Sequence, residues 1–312
     1  MKNISVLLFL LITLALNAQN NKTSGLNARQ FHKYWKVESE SPDYKVTFLG
    51  DTVEILSPKG LTLWRKEKMS GKVTIEYDAC VVVEVEGDRL SDLNCFWMAS
   101  DPQYPDNIWK REKWRNGIFL NCYSLQLYYM GYGGNHNSTT RFRRYDGNEA
   151  AITNAKARPA ILKEYTDADH LLEANKWYHI KITNENNRVS YYINGVRLVD
   201  FRDAAPLTEG WFGFRTTLSR TRIANFHYEC SPQEISEIPL HWIGNTPQQD
   251  RTVSLGVPFS EGELYPENTL QLITDRGETL PIDTWVLAYW PDGSVKWNGI
   301  AGVIPGNTDK LL

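Results

Sequence analysis

Sulfur and imidazole are scarce in this chain, whose 312 residues include four cysteines, four methionines and six histidines. Cys80, Cys95, Cys122 and Cys230 match no zinc-ligand spacing, and the histidines are scattered without a metal-binding interval. An excess of charge of one sign is missing too. Lys and Arg total 34 against 37 Asp and Glu, a net charge of -3, which argues against a nucleic-acid partner. The chain has no Gly-x-Ser-x-Gly elbow, His-Glu-x-x-His pair, P-loop or dinucleotide glycine fingerprint, so it lacks the usual signs of those hydrolases, metalloproteases and nucleotide enzymes. Helical periodicity is almost absent, and no internal repeat or low-complexity tract occurs.

Apolar runs are confined to the start. Lys2 is followed by an apolar stretch from Val6 to Leu16 broken only by Thr13, and Ala18 offers a small residue for cleavage ahead of Gln19. The run is shorter than the ~20 residues of a membrane span, so it reads as a signal peptide over residues 1–18, with a secreted or periplasmic product. The alternative is an uncleaved anchor, which its length disfavours. No cysteine follows to carry a lipid. No membrane span is expected in the mature protein. In an oxidising compartment four cysteines allow three pairings, and the sequence leaves the choice open, with buried thiols or one disulfide favoured over a chemical role.

Aromatics are plentiful, with eleven Trp and sixteen Tyr, and they sit in short alternating runs of the kind that form strands. Such runs occur at 53–56, 61–64, 72–85, 95–99, 117–121, 125–130 and 140–145, with a turn expected at Ser57-Pro58-Lys59-Gly60. Tyr178, Ile180 and Ile182 share one face, as do Val189, Tyr191 and Ile193, and Asn194-Gly195 is a strong hairpin signal. A short helical piece is expected at 166–174, capped by Asn175. The pattern predicts an all-β jelly-roll sandwich over residues 26–230. A linker at 231–239 and a partial β unit at 240–312 follow. That unit is small for independent stability and reads as the start of a larger module.

The segments Trp177-Tyr178-His179-Ile180-Lys181-Ile182, Tyr191-Tyr192-Ile193-Asn194-Gly195 and Gly210-Trp211-Phe212-Gly213-Phe214-Arg215-Thr216 resemble the closing strands of concanavalin A-like, laminin-G-like domains. The run from Tyr128 to Tyr145, through Gly131-Tyr132-Gly133-Gly134-Asn135-His136-Asn137, is similar to a jelly-roll family from exported proteins of polysaccharide-utilising Gram-negative bacteria. In the tail, Ser254-Leu255-Gly256-Val257-Pro258-Phe259 and Ala288-Tyr289-Trp290-Pro291-Asp292-Gly293 resemble the opening of exo-rhamnogalacturonan lyase-like and ulvan lyase-like proteins. The resemblance implies a polysaccharide partner but carries no catalytic residue over, since those proteins are much longer.

Among the residues themselves, the loop from Gly131 to Arg144 is the richest in chemistry. Arg141 and Arg143 share a strand face and Arg144 points the other way. Arginine can hold a uronate carboxylate bidentately. The candidate carbohydrate-binding set is Trp97, Trp114 and Tyr132 for stacking, Asn135 and His136 for hydroxyls, and Arg141, Arg143 and Arg215 for carboxylates. Trp177 and Trp211 read as core. If the site is catalytic, His136 or Tyr132 would abstract a proton beside Arg143, as a polysaccharide lyase requires. A divergent glycoside hydrolase would need a carboxylate pair, for which Glu76 with Asp78, or Glu84 with Glu86, are the nearest patterns. A non-catalytic interaction module is the remaining alternative. No cofactor is expected, apart from structural calcium on Asp92, Asp101 and Asp106.

Overall fold

Alternation along β5 (Lys72–Val82) holds as far as Ala79: Val73, Ile75, Tyr77 and Ala79 are buried, Glu76 and Asp78 face outward, and the last residues from Cys80 on are buried on both faces. A period of two on a pleated strand makes one face apolar, and that face must meet another. The computed structural model describes residues 24–231 and 238–312 apart from 262, 267 and 292. The expected signal peptide and most of the linker lie outside the described residues.

Two layers supply the partner faces. The first comprises β12 (Val196–Arg202), β11 (Arg188–Ile193), β10 (Trp177–Glu185), β5, the C-terminal part of β13 (Glu209–Ser231), the N-terminal part of β3 (Thr52–Arg65) and β2 (Lys45–Leu49). The second comprises β1 (Trp35–Ser39), the remaining parts of β3 and β13, then β6 (Leu93–Ser100), β7 (Gln126–Gly133), β8 (Thr139–Asp146) and β9 (Lys163–Tyr165). The two-residue β4 (Met69–Ser70) pairs with β13. All these pairings are antiparallel. The chain is therefore an all-β jelly-roll-like sandwich, as its strand pattern predicts.

β3 and β13 pass from one layer into the other side by side. Their register slips between Thr217 and Ser219, where Leu218 takes φ 49°, opposite Pro58 and Lys59. The turn expected at 57–60 is thus a bend inside a continuous strand. Pro58 is tolerated there because the bulge needs no amide from it. The helical piece expected at 166–174 shrinks to a single 3-10 turn, Ala168–His170. Asn175 instead ties its side chain to the amide and carbonyl of Val83 at 2.9 and 3.0 Å. The Asn194-Gly195 hairpin forms as expected, with φ 50° and 82° at the two turn residues.

Rings from the two layers meet between them. Trp97 of β6 stacks on Tyr191 of β11 at 6.3 Å, and Tyr132 of β7 meets Tyr178 of β10 edge-on at 5.1 Å. Each such ring contributes ~1.5–3 kcal/mol through burial of its apolar surface. Trp211 is buried as expected. Trp177, by contrast, is 44% exposed, because Tyr178, Ile180 and Ile182 take the inward positions of β10 and leave odd residues outside. Cys80, Cys95 and Cys122 are buried free thiols, and Cys230 is exposed.

The tail forms a three-stranded antiparallel sheet from Arg251–Pro258, Val295–Ile304 and Ile282–Tyr289. It has its own small core around Val257, Phe259, Val295 and Ile300. Among the described residues no helix is long and apolar enough to cross a membrane.

Candidate functional site: an arginine-rich groove

On β7 and β8 the two strand faces separate core from site. Tyr128, Met130, Tyr132 and Phe142 point into the inter-layer core. Tyr129 and Gly131 point outward, opposite Arg143 and Arg141 in register. Together with Tyr145 they floor a groove of about 480 Å³ on the outer surface of the second layer.

One wall is an insert between β6 and β7, ending in the 3-10 segment Phe119–Ser124. The insert is fastened by a buried ionic network. Arg115, fully buried, donates to Glu38 at 2.9 Å and to the Ile108 carbonyl at 2.8 Å. Arg111 grips Asp101 through two bonds of 2.7 and 2.9 Å. Burial raises the Glu38 carboxyl above its ordinary range, against the opposing pull of Arg115.

The opposite wall is the turn between β7 and β8. Asn135, His136 and Asn137 occupy the left-handed region with φ 52°, 58° and 57°, a conformation costing ~1–2 kcal/mol per non-glycine residue. Side chains hold it: Asn137 donates to the Leu172 carbonyl and accepts from the Leu172 amide, both at 2.8 Å. The strained turn keeps Asn135 and His136 at the rim of the groove.

The lining is basic. Arg89, Arg141, Arg143, Arg158 and Arg215 face it, against Asp92 and Glu40. Arg215 is only 2% exposed and lies beneath the floor, donating to the Gly117 carbonyl at 2.6 Å. Gly60 makes room for it, since a β-carbon there would stand 2.5 Å from its Nη2. Arg89 pairs with Asp92 at 3.0 Å and Arg141 with Glu164 at 2.5 Å. Among the described residues, three polar atoms of the lining are buried without a hydrogen-bond partner: Asn94 Oδ1, Arg89 Nε and the Tyr145 hydroxyl. Unmet buried donors and acceptors are costly unless something binds them. Burial raises the Tyr129 phenol, which therefore keeps its proton at neutral pH.

The groove brings together Asn135, His136, Arg141, Arg143 and Arg215 from the residues nominated by sequence. It does not include the nominated aromatics. Trp97 and Tyr132 are core residues, with the Tyr132 hydroxyl on the Leu171 carbonyl at 3.1 Å. Neither can stack on a sugar, and Tyr132 cannot serve as a base in the groove. Trp114 is 44% exposed but lies on the insert outside the lining, with Arg111 4.9 Å above its ring. Arg144 faces away from Arg141 and Arg143, as alternation requires, and binds Asp203 at 2.6 Å.

The aromatics bordering the groove are instead Phe119, Tyr123, Tyr129 and Tyr145, of which Phe119 is half-buried and Tyr145 wholly buried. Counting in twos from Arg141 through Arg143 reaches Tyr145, so one of these was within reach of sequence. The others, with Asn94 and Arg158, depend on pairing and on how the insert folds.

The carboxylate pairs nominated from the sequence lie elsewhere. Glu76 and Asp78 are on the outer face of the first layer, bonded to Lys181 and His179 at 2.8 Å each, and Glu84 is paired with Arg222. The calcium candidates are dispersed as well: Asp101 is held by Arg111, Asp92 by Arg89, and Asp106 is 3.8 Å from Lys68. Among the described residues no three His, Cys, Asp or Glu side chains gather as a metal site.

Residues 55–226, more than half of the chain, match the family described as Domain of unknown function (DUF6250). The chain belongs to the DUF6250 family. Residues 236–311 of this DUF6250 protein also match the PcRGLX-like N-terminal RIFT barrel domain. A stretch of 71 residues is 34% identical to the protein YetA of Bacillus subtilis, covering 23% of this chain and 8% of that protein. The chain thus spans less than a tenth of the curated relative it matches.

Among solved structures, a Bacillus subtilis protein of unknown function with a galectin-like fold superposes with a TM-score of 0.53 at 15% identity, covering 67% of this chain and 95% of that one. The carbohydrate-binding module CBM66 of Bacillus subtilis superposes with a TM-score of 0.42 at 18% identity, over 62% and 94% of the two chains. At 15% identity the likeness to the galectin-like protein is one of fold alone.

Proposed function

We propose that the chain is an exported polysaccharide-binding module that takes a uronate-containing polymer in the groove over β7 and β8. The observation that carries this reading is convergence: residues from the 131–144 segment and Arg215 line one groove, three of whose buried polar atoms find no partner among the described residues. Phe119, half-buried, and the 8% exposed edge of Tyr129 offer ring surface beside them. Asn94, Asn135 and His136 offer hydrogen-bonding groups for sugar hydroxyls, and the arginines favour acidic residues. The RIFT-barrel match in the tail supports a place in a carbohydrate-degrading, pectin or ulvan lyase-like protein, and the leader-like first residues support export to the periplasm or beyond.

A lyase reading has one observation in its favour, since His136 and Arg143 border the same groove. Proton abstraction would fall to His136, Tyr132 being in the core.

Affinity electrophoresis of the full chain through gels containing pectic, ulvan-like or neutral polysaccharides tests the binding reading. Retardation by the uronate-rich gels is expected, and a chromogenic assay for unsaturated products then separates binding from cleavage. Unretarded migration in every gel would leave an interaction module that presents its neighbour.

A further inference from the structure

We infer that Arg143 and Arg158 together read a free sugar carboxylate, so that the groove admits the acid form of a uronate and discriminates against its ester. This rests on the polysaccharide reading of the groove and goes beyond it by dividing the arginines into spent and unspent. Arg141 is spent on Glu164 and Arg89 on Asp92, while Arg215, 2% exposed, is buried beneath the floor. Among the described residues, Arg143 and Arg158 have no carboxylate within ion-pair distance.

They are also brought together. Arg143 donates through Nη1 to the carbonyl of Pro159, the residue after Arg158. The Arg158 guanidinium carbon lies 5.8 Å from the Tyr123 ring centroid. Both arginines line the groove, and the carbonyl that holds Arg143 belongs to the residue next to Arg158.

Two guanidinium groups lining one groove, one of them beside a tyrosine ring, suit a planar carboxylate, which accepts paired N–H bonds and cancels charge. Esterification removes the negative charge and converts one acceptor oxygen into a crowded ether oxygen. The same sugar in ester form then leaves both cations uncompensated. Arg158 lies outside every strand, so its loss leaves the sandwich intact.

The test compares binding of the full chain to polygalacturonate as the free acid and as its methyl ester, by titration calorimetry at fixed salt. The unmodified protein is expected to prefer the free acid by about tenfold or more. Arg143→Ala and Arg158→Ala should each bring the two affinities close together, and Arg158→Lys should keep part of the preference. If Arg143→Ala fails to fold, Arg158→Ala decides alone. Equal affinity of the unmodified protein for both polymers overturns the inference and leaves polysaccharide binding standing. An undiminished preference in Arg158→Ala overturns it as well. Absence of binding to both polymers and to the neutral glycans overturns both readings.

Discussion

Gly131 lies under the hydroxyl of Tyr129: a β-carbon at 131 would clash with Oη and come within 2.8 Å of Cζ. The tyrosine cannot easily yield, because Phe96, Phe119 and Tyr145 all pack around its ring. Gly131→Ala is therefore expected to strain the floor around Tyr129, weaken glycan binding by about tenfold and cost ~1–3 kcal/mol through overpacking. Calorimetric affinity and urea unfolding check the two effects separately. Full affinity in a folded variant would remove Tyr129 from the binding surface.

Arg115 holds the groove wall from beneath. Removing it leaves Glu38 and Asp101 buried without their full complement of cations, so Arg115→Ala is expected to destabilise the protein by ~3–5 kcal/mol. Denaturant unfolding reports the loss. Limited proteolysis should cut first within the insert, between Asp101 and Leu125, whereas cleavage elsewhere would show that the network does not secure this wall.

Acid should loosen the first layer. The Glu76 carboxyl is held below its ordinary range chiefly by its bond to Lys181, with His227 and His179 adding charge. Its ionised form is favoured by folding, so the stabilisation is present above the unfolded carboxylate range and is lost as pH falls through the lowered folded value. Melting temperature should fall on acidification below about pH 4.5. Lys181→Ala should flatten that slope. An unchanged slope would mean that other carboxylates dominate acid unfolding.

The thiols should differ sharply in reactivity. Burial pushes Cys95 up to about 12 and Cys122 up to about 11, and Cys80 is raised by the same cause. Thiolate is the reactive form, so an aromatic disulfide reagent should label the exposed Cys230 in the native protein and reach the other three only after denaturation. Rapid labelling of Cys95 under native conditions would contradict the burial described.

Much of the architecture was legible in the chain. Valine, isoleucine and tyrosine at every second position mark β5, β10 and β11, and Asn194-Gly195 marks a hairpin whose φ values are open to few other residues. The bend at Leu218 was not legible, because Ser57-Pro58-Lys59-Gly60 carries the chemistry of a turn, and only pairing with β13 makes it a bulge. The site was legible in half. Asn135, His136, Arg141 and Arg143 stand in one short segment, whereas Arg158, Tyr123 and Asn94 reach the groove from elements far apart in sequence.

By itself the sequence determined which residues of a strand stand together, since side chains on a pleat alternate whatever surrounds them: Arg141 with Arg143 and Tyr145, Tyr132 with Tyr128 and Met130. Which of those faces would be inside was decided only in the tertiary structure. Both faces of β7 carry tyrosine, Tyr128 and Tyr132 on one and Tyr129 on the other, so residue type alone could not rank them. Packing of the two layers buried Tyr132 against Tyr178, and Tyr129 was left to the groove because the insert covers only part of the outer surface.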